Sequence, residues 1–361
     1  MKKILCLIDI LGYGGGAERQ MAGLAGMLHQ HGYDVCLATY HKHDYNEILK
    51  GNYGIESVYI KSGNNALSKL WAVRKFIKRG KFDVVIVYKD GATIIASLIK
   101  LFGLNSKLIV SERNTTTKLT LRERIKFFLY RQADAIVPNS YSQGKFIGQN
   151  YPNLACKVNV ITNFTDINEF SPAENDPIHE CTHILVTARI APQKNVIRFL
   201  NVVSKIKEQK LPIKITWYGD LNKLKNYGDE VCRRYAELQI SDILEFKQTT
   251  KNIVDAYRNC DIFCLPSLHE GYPNVVCEAM CCGKPVLCSD VCDNAFIVEN
   301  NLNGWLFNPF DEDNMLTSIK KACSINREKL LTIGANNRTT AIAKFSAHTF
   351  VQKYINLIEK L

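Results

Sequence analysis

The chain has 361 residues, 46% of them hydrophobic and 22% charged, and a formal net charge of +11. At about 150 residues per domain, that length and composition exclude a disordered or fibrous chain and suggest two globular domains. The charge is uneven: residues 1–170 hold 23 Lys+Arg against 13 Asp+Glu, residues 171–361 hold 23 against 22, and 61–131 alone hold 16 against 4. Such asymmetry points to an anionic partner for the first half, whether nucleic acid, a phosphorylated substrate or an acidic membrane surface.

The opening MKKILCLIDILGYGGG imitates a secretion signal, but Asp9 breaks the apolar run and glycines stand where a cleavage site belongs. It reads instead as a first strand and a turn. Strand-like runs then alternate with helix-length segments at 3–9, 33–39, 82–88, 107–111, 133–137 and 157–161. Each is apolar on both faces, as buried parallel strands are. A polar, proline-bearing break spans 171–182, and the series restarts at 183–188, 213–218, 242–246, 261–266 and 285–289. The pattern predicts two doubly wound α/β domains, 1–170 and 171–340, followed by a C-terminal helix over 341–361 that packs back toward the first. The longest apolar stretch, TIIASLI, is far short of the ~20 residues of a membrane span. A cytoplasmic protein with reduced thiols is therefore expected. Cys260/Cys264, Cys277/Cys281 and Cys288/Cys292 sit four apart with no C-x2-C spacing, and read as small apolar fillers rather than metal ligands.

Ligands of open α/β sheets lie beyond the carboxyl ends of the strands, so the chemistry is sought in the loops that follow them. Gly12-Tyr13-Gly14-Gly15-Gly16-Ala17 matches a relaxed dinucleotide pattern between strand and helix. The second strand, however, ends Thr39-Tyr40-His41, without the acidic residue that a NAD ribose requires. In the second half, Glu270 follows a strand, and Glu278 falls in the first turns of a helix that Asn274 can cap and Gly283 can stop. Two carboxylates flanking a helix N-terminus suit a ligand with both hydroxyls and phosphates. On this ground alone, Glu278 is equally readable as a helix-dipole partner. Asp311-Glu312-Asp313 follows no strand in a metal-binding position, and no metal site is expected.

Taken together, GGGAER, VPNSYSQGKF, VITNFTDINEFSP, TARIAPQKN and above all EGYPNVVCEAMCCGKPV resemble the retaining GT-B glycosyltransferases of family 4, the group 1 glycosyl transferases. The likeness covers nearly the whole chain and includes that family's E-x7-E element, Glu270 to Glu278. It implies a GT-B fold, two Rossmann-like domains facing across a cleft. It also implies that Glu278 holds the donor ribose and that Glu270 meets the transferred sugar, helped by backbone of Gly271, Tyr272, Pro273, Asn274 and Val275. Arg189 and Lys194 would clamp the diphosphate, Gly15 and Gly16 would approach the donor from the first domain, and Tyr218 and Gly219 would lie near the base. Where many members carry a histidine, this chain has Ser111-Glu112-Arg113-Asn114; no histidine role carries over, and Glu112 and Arg113 are expected on the acceptor side.

The implied reaction is hexosyl transfer. A hexose or N-acetylhexosamine moves from a nucleotide-sugar, a UDP-sugar by preference, to a glycan or lipid-linked acceptor in surface polysaccharide biosynthesis, with neither cofactor nor metal. Two other readings stay open: a nucleotide-sugar epimerase of the same fold, and a nucleic-acid-binding protein using the basic 61–131 surface, which lacks a recognisable reading helix and is not preferred. Segments 69–81 and 118–131 mix basic and apolar residues at helical spacing. They are either helices with solvated charged faces or elements lying on an anionic membrane at the inner face of the cell.

Overall fold

A computed structural model describes residues 1–12, 16–116, 118–221, 225–250 and 252–361, which divide into two compact units. The first comprises Met1–Phe164 and Ala347–Leu361, the second Thr165–Ser346. The divisions thus fall at 164 and 346 rather than at 170 and 340.

The first unit runs β1 (Lys3–Ile8), α1 (Gly16–Gln30), β2 (Asp34–Thr39), α2 (Asn46–Tyr53), β3 (Ser57–Tyr59), α3 (Ala66–Gly80), β4 (Val84–Tyr88), α4 (Asp90–Leu101), β5 (Lys107–Glu112), α5 (Leu121–Leu129), β6 (Ala135–Pro138) and α6 (Tyr141–Asn150). Its strands form one parallel sheet in the order β3-β2-β1-β4-β5-β6. Both faces of the sheet are covered, which is why β1 and β4 are apolar at nearly every position. Val73 and Ile77 of α3, Ala92 and Ala96 of α4 and Phe127 of α5 close one face. The other face is closed by α1 and by α14 (Ala347–Lys360), whose Phe350, Tyr354 and Ile358 share a core with Leu24 and Leu28.

The second unit runs β7 (Thr182–Thr187), α7 (Val196–Glu208), β8 (Ile213–Tyr218), α8 (Lys225–Leu238), β9 (Leu244–Lys247), α9 (Ile253–Arg258), β10 (Ile262–Leu265), α10 (Asn274–Cys281), β11 (Val286–Ser289), α11 (Asn294–Ile297), β12 (Gly304–Phe307), α12 (Glu312–Cys323) and α13 (Arg327–Phe345). Its parallel sheet has the order β12-β11-β10-β7-β8-β9. Counted from its own first strand, this repeats the winding of the first unit. In both, the order reverses beside the first strand, at β1/β4 and at β7/β10, where doubly wound sheets bind their ligands.

Two features differ from the sequence expectation, while the burial of the cysteines agrees with it. The edge strands β3 and β12 were not expected, since three or four residues are too few to show a period, whether largely exposed as in β3 or largely buried as in β12. Residues 157–161 do not form a strand. They run beside β6, with the Asn159 N–H on the Ile136 carbonyl and the Ile161 N–H on the Pro138 carbonyl, but form only an isolated bridge at Val158. Cys264, Cys277 and Cys288 are fully buried among apolar neighbours, and burial pushes each thiol well up. Among the described residues no helix is long and apolar enough to cross a membrane.

Candidate functional site

The loops leaving β7, β8 and β10 gather most of the residues singled out in the second half. After β7 the chain passes Arg189 and makes a 3-10 turn, Pro192–Lys194, before α7 begins. After β10 it runs through Ser267–Tyr272 into α10. The two loops are latched together: the Leu268 N–H donates to the Gln193 carbonyl at 2.8 Å, and the Gln193 amide donates to the His269 carbonyl at 2.8 Å. The latch sets Lys194 against Glu270, Nζ to Oε1 2.5 Å, with both side chains nearly buried. Burying either charge alone would be costly, and pairing offsets much of that cost. The Glu270 N–H is itself directed at the Cys292 sulfur, 3.4 Å away.

Glu278 is set differently. It lies one turn into α10, buried, and accepts a hydrogen bond from the Tyr257 hydroxyl at 2.9 Å. That phenol sits 2.9 Å from the Thr187 hydroxyl at the carboxyl end of β7. With its proton given to Glu278, Tyr257 accepts from Thr187. Burial, reinforced by the Glu278 carboxylate, pushes the Tyr257 phenol well up, so it stays a donor. A chain of contacts therefore joins β7, α9 and α10. Spacing within the sequence gives no hint of Tyr257, Thr187 or Gln193, because each acts on a residue far along the chain.

Arg189 is exposed and has no side-chain partner among the described residues. An unpaired guanidinium at the carboxyl edge of a parallel sheet is available to an anionic ligand. Tyr218 ends β8, half-buried, and Gly219 follows with its N–H on the Lys247 carbonyl. A side chain at Gly219 would place its Cβ 2.3 Å from the Ala188 carbonyl oxygen, so the backbone there runs close against the loop that carries Arg189.

The stretch Gly271–Val275 is less generous with donors than expected. Pro273 has no N–H, and the Asn274 N–H is taken by the Tyr272 carbonyl at 3.0 Å. Asn274 begins α10 and Pro273 occupies the cap position without a side-chain hydrogen bond, so the expected asparagine cap is not formed. Gly283, at φ 70°, does follow the helix end in the left-handed conformation. Asp311, Glu312 and Asp313 serve structure: Asp311 caps α12, while Glu312 and Asp313 pair with Lys205.

In the first unit, Gly16 begins α1 and is exposed, whereas Gly14 and Gly15 lie outside the described residues. Glu112 ends β5 but faces inward at 1% exposure, held by Lys126 at 2.9 Å and the Tyr130 hydroxyl at 2.8 Å. Burial raises its pKa against the opposing pull of Lys126. A carboxylate so enclosed is a structural node rather than a surface for an acceptor. Arg113 is also engaged, donating to Asn163 at 2.7 Å and to the Tyr354 hydroxyl at 3.0 Å, with its guanidinium 3.9 Å from the centre of the Tyr88 ring.

Residues 168–340 match the family described as glycosyl transferases group 1, and residues 14–169 the one described as glycosyltransferase family 4. At 24% identity, across 100% of this chain and 99% of the relative, the protein is similar to the GalNAc-alpha-(1->4)-GalNAc-alpha-(1->3)-diNAcBac-PP-undecaprenol alpha-1,4-N-acetyl-D-galactosaminyltransferase of Campylobacter jejuni. It is 22% identical to the amylovoran biosynthesis glycosyltransferase AmsD of Erwinia amylovora, over 84% of this chain and 87% of that one. Among solved structures, Anabaena HepE in complex with UDP superposes with a TM-score of 0.86 at 20% identity, covering 99% of this chain and 100% of that one.

Proposed function

Since the chain belongs to the group 1 glycosyl transferases, enzymes of GT-B fold, we propose that it transfers a hexose or N-acetylhexosamine, with retention, from a nucleotide-sugar to a lipid-linked or glycan acceptor. The observation that carries the reading is the grouping at the β7/β10 reversal: a buried Glu278, a Lys194–Glu270 pair and an Arg189 unpaired among the described residues. Carboxylates accept hydroxyl hydrogen bonds, and cations offset the charge of a departing diphosphate. In this reading Glu278 takes the ribose hydroxyls, Glu270 the transferred sugar, and Arg189 and Lys194 the diphosphate. Tyr218 and Gly219 border the base, and Gly271–Val275 line the sugar subsite.

The bond from the anomeric carbon to the phosphate oxygen breaks, and one from the same carbon to the acceptor oxygen forms on the same face. The leaving phosphate takes the acceptor proton, so no general base is drawn from the chain. In this reading Arg189 and Lys194 offset the charge of the diphosphate, and the reaction uses no metal. A UDP-sugar is favoured because a close structural neighbour was solved with UDP. A lipid-linked acceptor in cytoplasmic polysaccharide assembly is favoured because the Campylobacter relative is named for one and the Erwinia relative for amylovoran synthesis.

Thermal melts against a panel of nucleotides and nucleotide-sugars, with EDTA present, test the reading. A ligand at a hundred times its Kd stabilises the folded state by about 2.7 kcal/mol. A shift confined to uridine nucleotides and lost in Glu278→Ala is expected. No shift with any nucleotide, or an undiminished one in Glu278→Ala, would count against it.

A further inference from the structure

Two buried polar groups stand without a partner where β5 and β6 end. Asn139 follows Pro138 and is 5% exposed, yet its side-chain amide makes no hydrogen bond among the described residues. Arg113 follows Glu112. Its terminal nitrogens are taken, by Asn163 and by the Tyr354 hydroxyl, but its buried Nε–H donates to no described residue.

The sheet sets the two groups side by side. Ser111 pairs with Val137 and Glu112 with Pro138 in parallel register, and the Asn139 N–H continues the ladder onto the Glu112 carbonyl at 3.0 Å. Arg113 and Asn139 are therefore the next pair, and side chains alternate between the faces of a strand. Glu112 turns toward Lys126 of α5, so Arg113 and Asn139 turn to the opposite face, the one that Val137, Tyr88 and Tyr354 line. Asn163, 6% exposed, bounds the place from the segment that runs beside β6. A buried donor and a buried acceptor left unpaired together are costly, and they lie beyond the carboxyl ends of parallel strands, where such sheets bind ligands.

We propose that Arg113 and Asn139 form a slot for one hydroxyl group of the saccharide acceptor. The proposal rests on the glycosyl-transfer reading and names a contact for its acceptor. A hydroxyl accepts one hydrogen bond and donates another. Here it accepts from the Arg113 Nε–H and donates to Asn139 Oδ1, which leaves the Asn139 amide N–H groups for a neighbouring ring or hydroxyl oxygen. A phosphate or carboxylate has no proton to offer Oδ1, so the slot reads a sugar rather than an anion.

Saturation-transfer NMR of the full chain with UDP present, against the methyl glycosides of glucose, galactose and N-acetylgalactosamine, tests the slot. The wild type should bind at least one of them, and Asn139→Leu should bind it about tenfold or more weakly. Among the monodeoxy forms of that glycoside, one should bind wild type and variant alike. Asn139→Leu replaces an unpaired buried amide by an apolar side chain of similar size, so its melting temperature should hold or rise, which a bracing role for Asn139 would not allow. Its thermal shift with uridine nucleotides should match the wild type's, which separates this slot from the donor site. No glycoside bound by the wild type, equal affinity in Asn139→Leu, competition by inorganic phosphate, or only water between Arg113 and Asn139 in a glycoside-bound crystal structure would each overturn it.

Discussion

Arg189 and Tyr257 separate what the site does from what holds it. Arg189 is exposed and unpaired among the described residues, so Arg189→Ala should leave the melting temperature nearly unchanged while transfer falls by about 10²–10³-fold, as when a preorganised oxyanion donor is removed. Paired melts and initial rates check this; a normal rate would remove Arg189 from the diphosphate. Tyr257→Phe takes a hydrogen bond from a buried carboxylate and should cost about 1–3 kcal/mol. Isothermal titration should show it as a weaker nucleotide Kd, with smaller loss at Thr187→Val, one contact further out. The two glutamates were legible because they stand eight residues apart around a helix start. The Lys194–Glu270 pair was not: 76 residues separate its members, and their meeting depends on the Gln193 latch. Glu112 misled for the opposite reason, since a strand's last residue can point into the unit as readily as out of it.

At the scale of elements, Asp134 ties together α4, β5 and β6. Burial raises its carboxyl pKa, but the Leu108 N–H at 2.8 Å, Lys100 at 3.1 Å and Lys107 at 3.6 Å prevail and hold it below its ordinary value. A carboxyl with a lowered folded pKa stabilises fully above its unfolded value and loses that contribution as pH falls through the folded one. The stability gap between wild type and Asp134→Asn, read by thermal melts, should be widest above the ordinary carboxylate range and close as pH falls through it and below. Most parallel strands were readable because burial on both faces demands apolar runs. The facing of α5 was not: its mixed basic and apolar spacing left the inward side open, and it is Phe127 and Leu129 that pack inward, with Lys126 drawn in beside them by the carboxylates of β5 and α4.

Across the whole molecule, the two units repeat one winding, and the unequal charge falls largely in the first. The chain leaves that unit at Phe164 and returns with α14, where the Tyr354 hydroxyl meets Tyr88 at 2.9 Å and Arg113 at 3.0 Å. Truncation after Ser346 would uncover Leu24, Leu28 and their neighbours. The shortened protein should bind a hydrophobic dye and be cut by protease within Met1–Phe164 well before Thr165–Ser346; equal protease resistance of both units would show that α14 is dispensable. The return also sets a timetable for synthesis. On the ribosome, the portion made first must wait, with an apolar face uncovered, through nearly two hundred further additions, roughly 10–40 s at about 5–20 residues per second. The portion made second can close as soon as it emerges. Birth order and completion order are therefore reversed, and the nascent chain is most in need of a chaperone while its first half waits for its last helix.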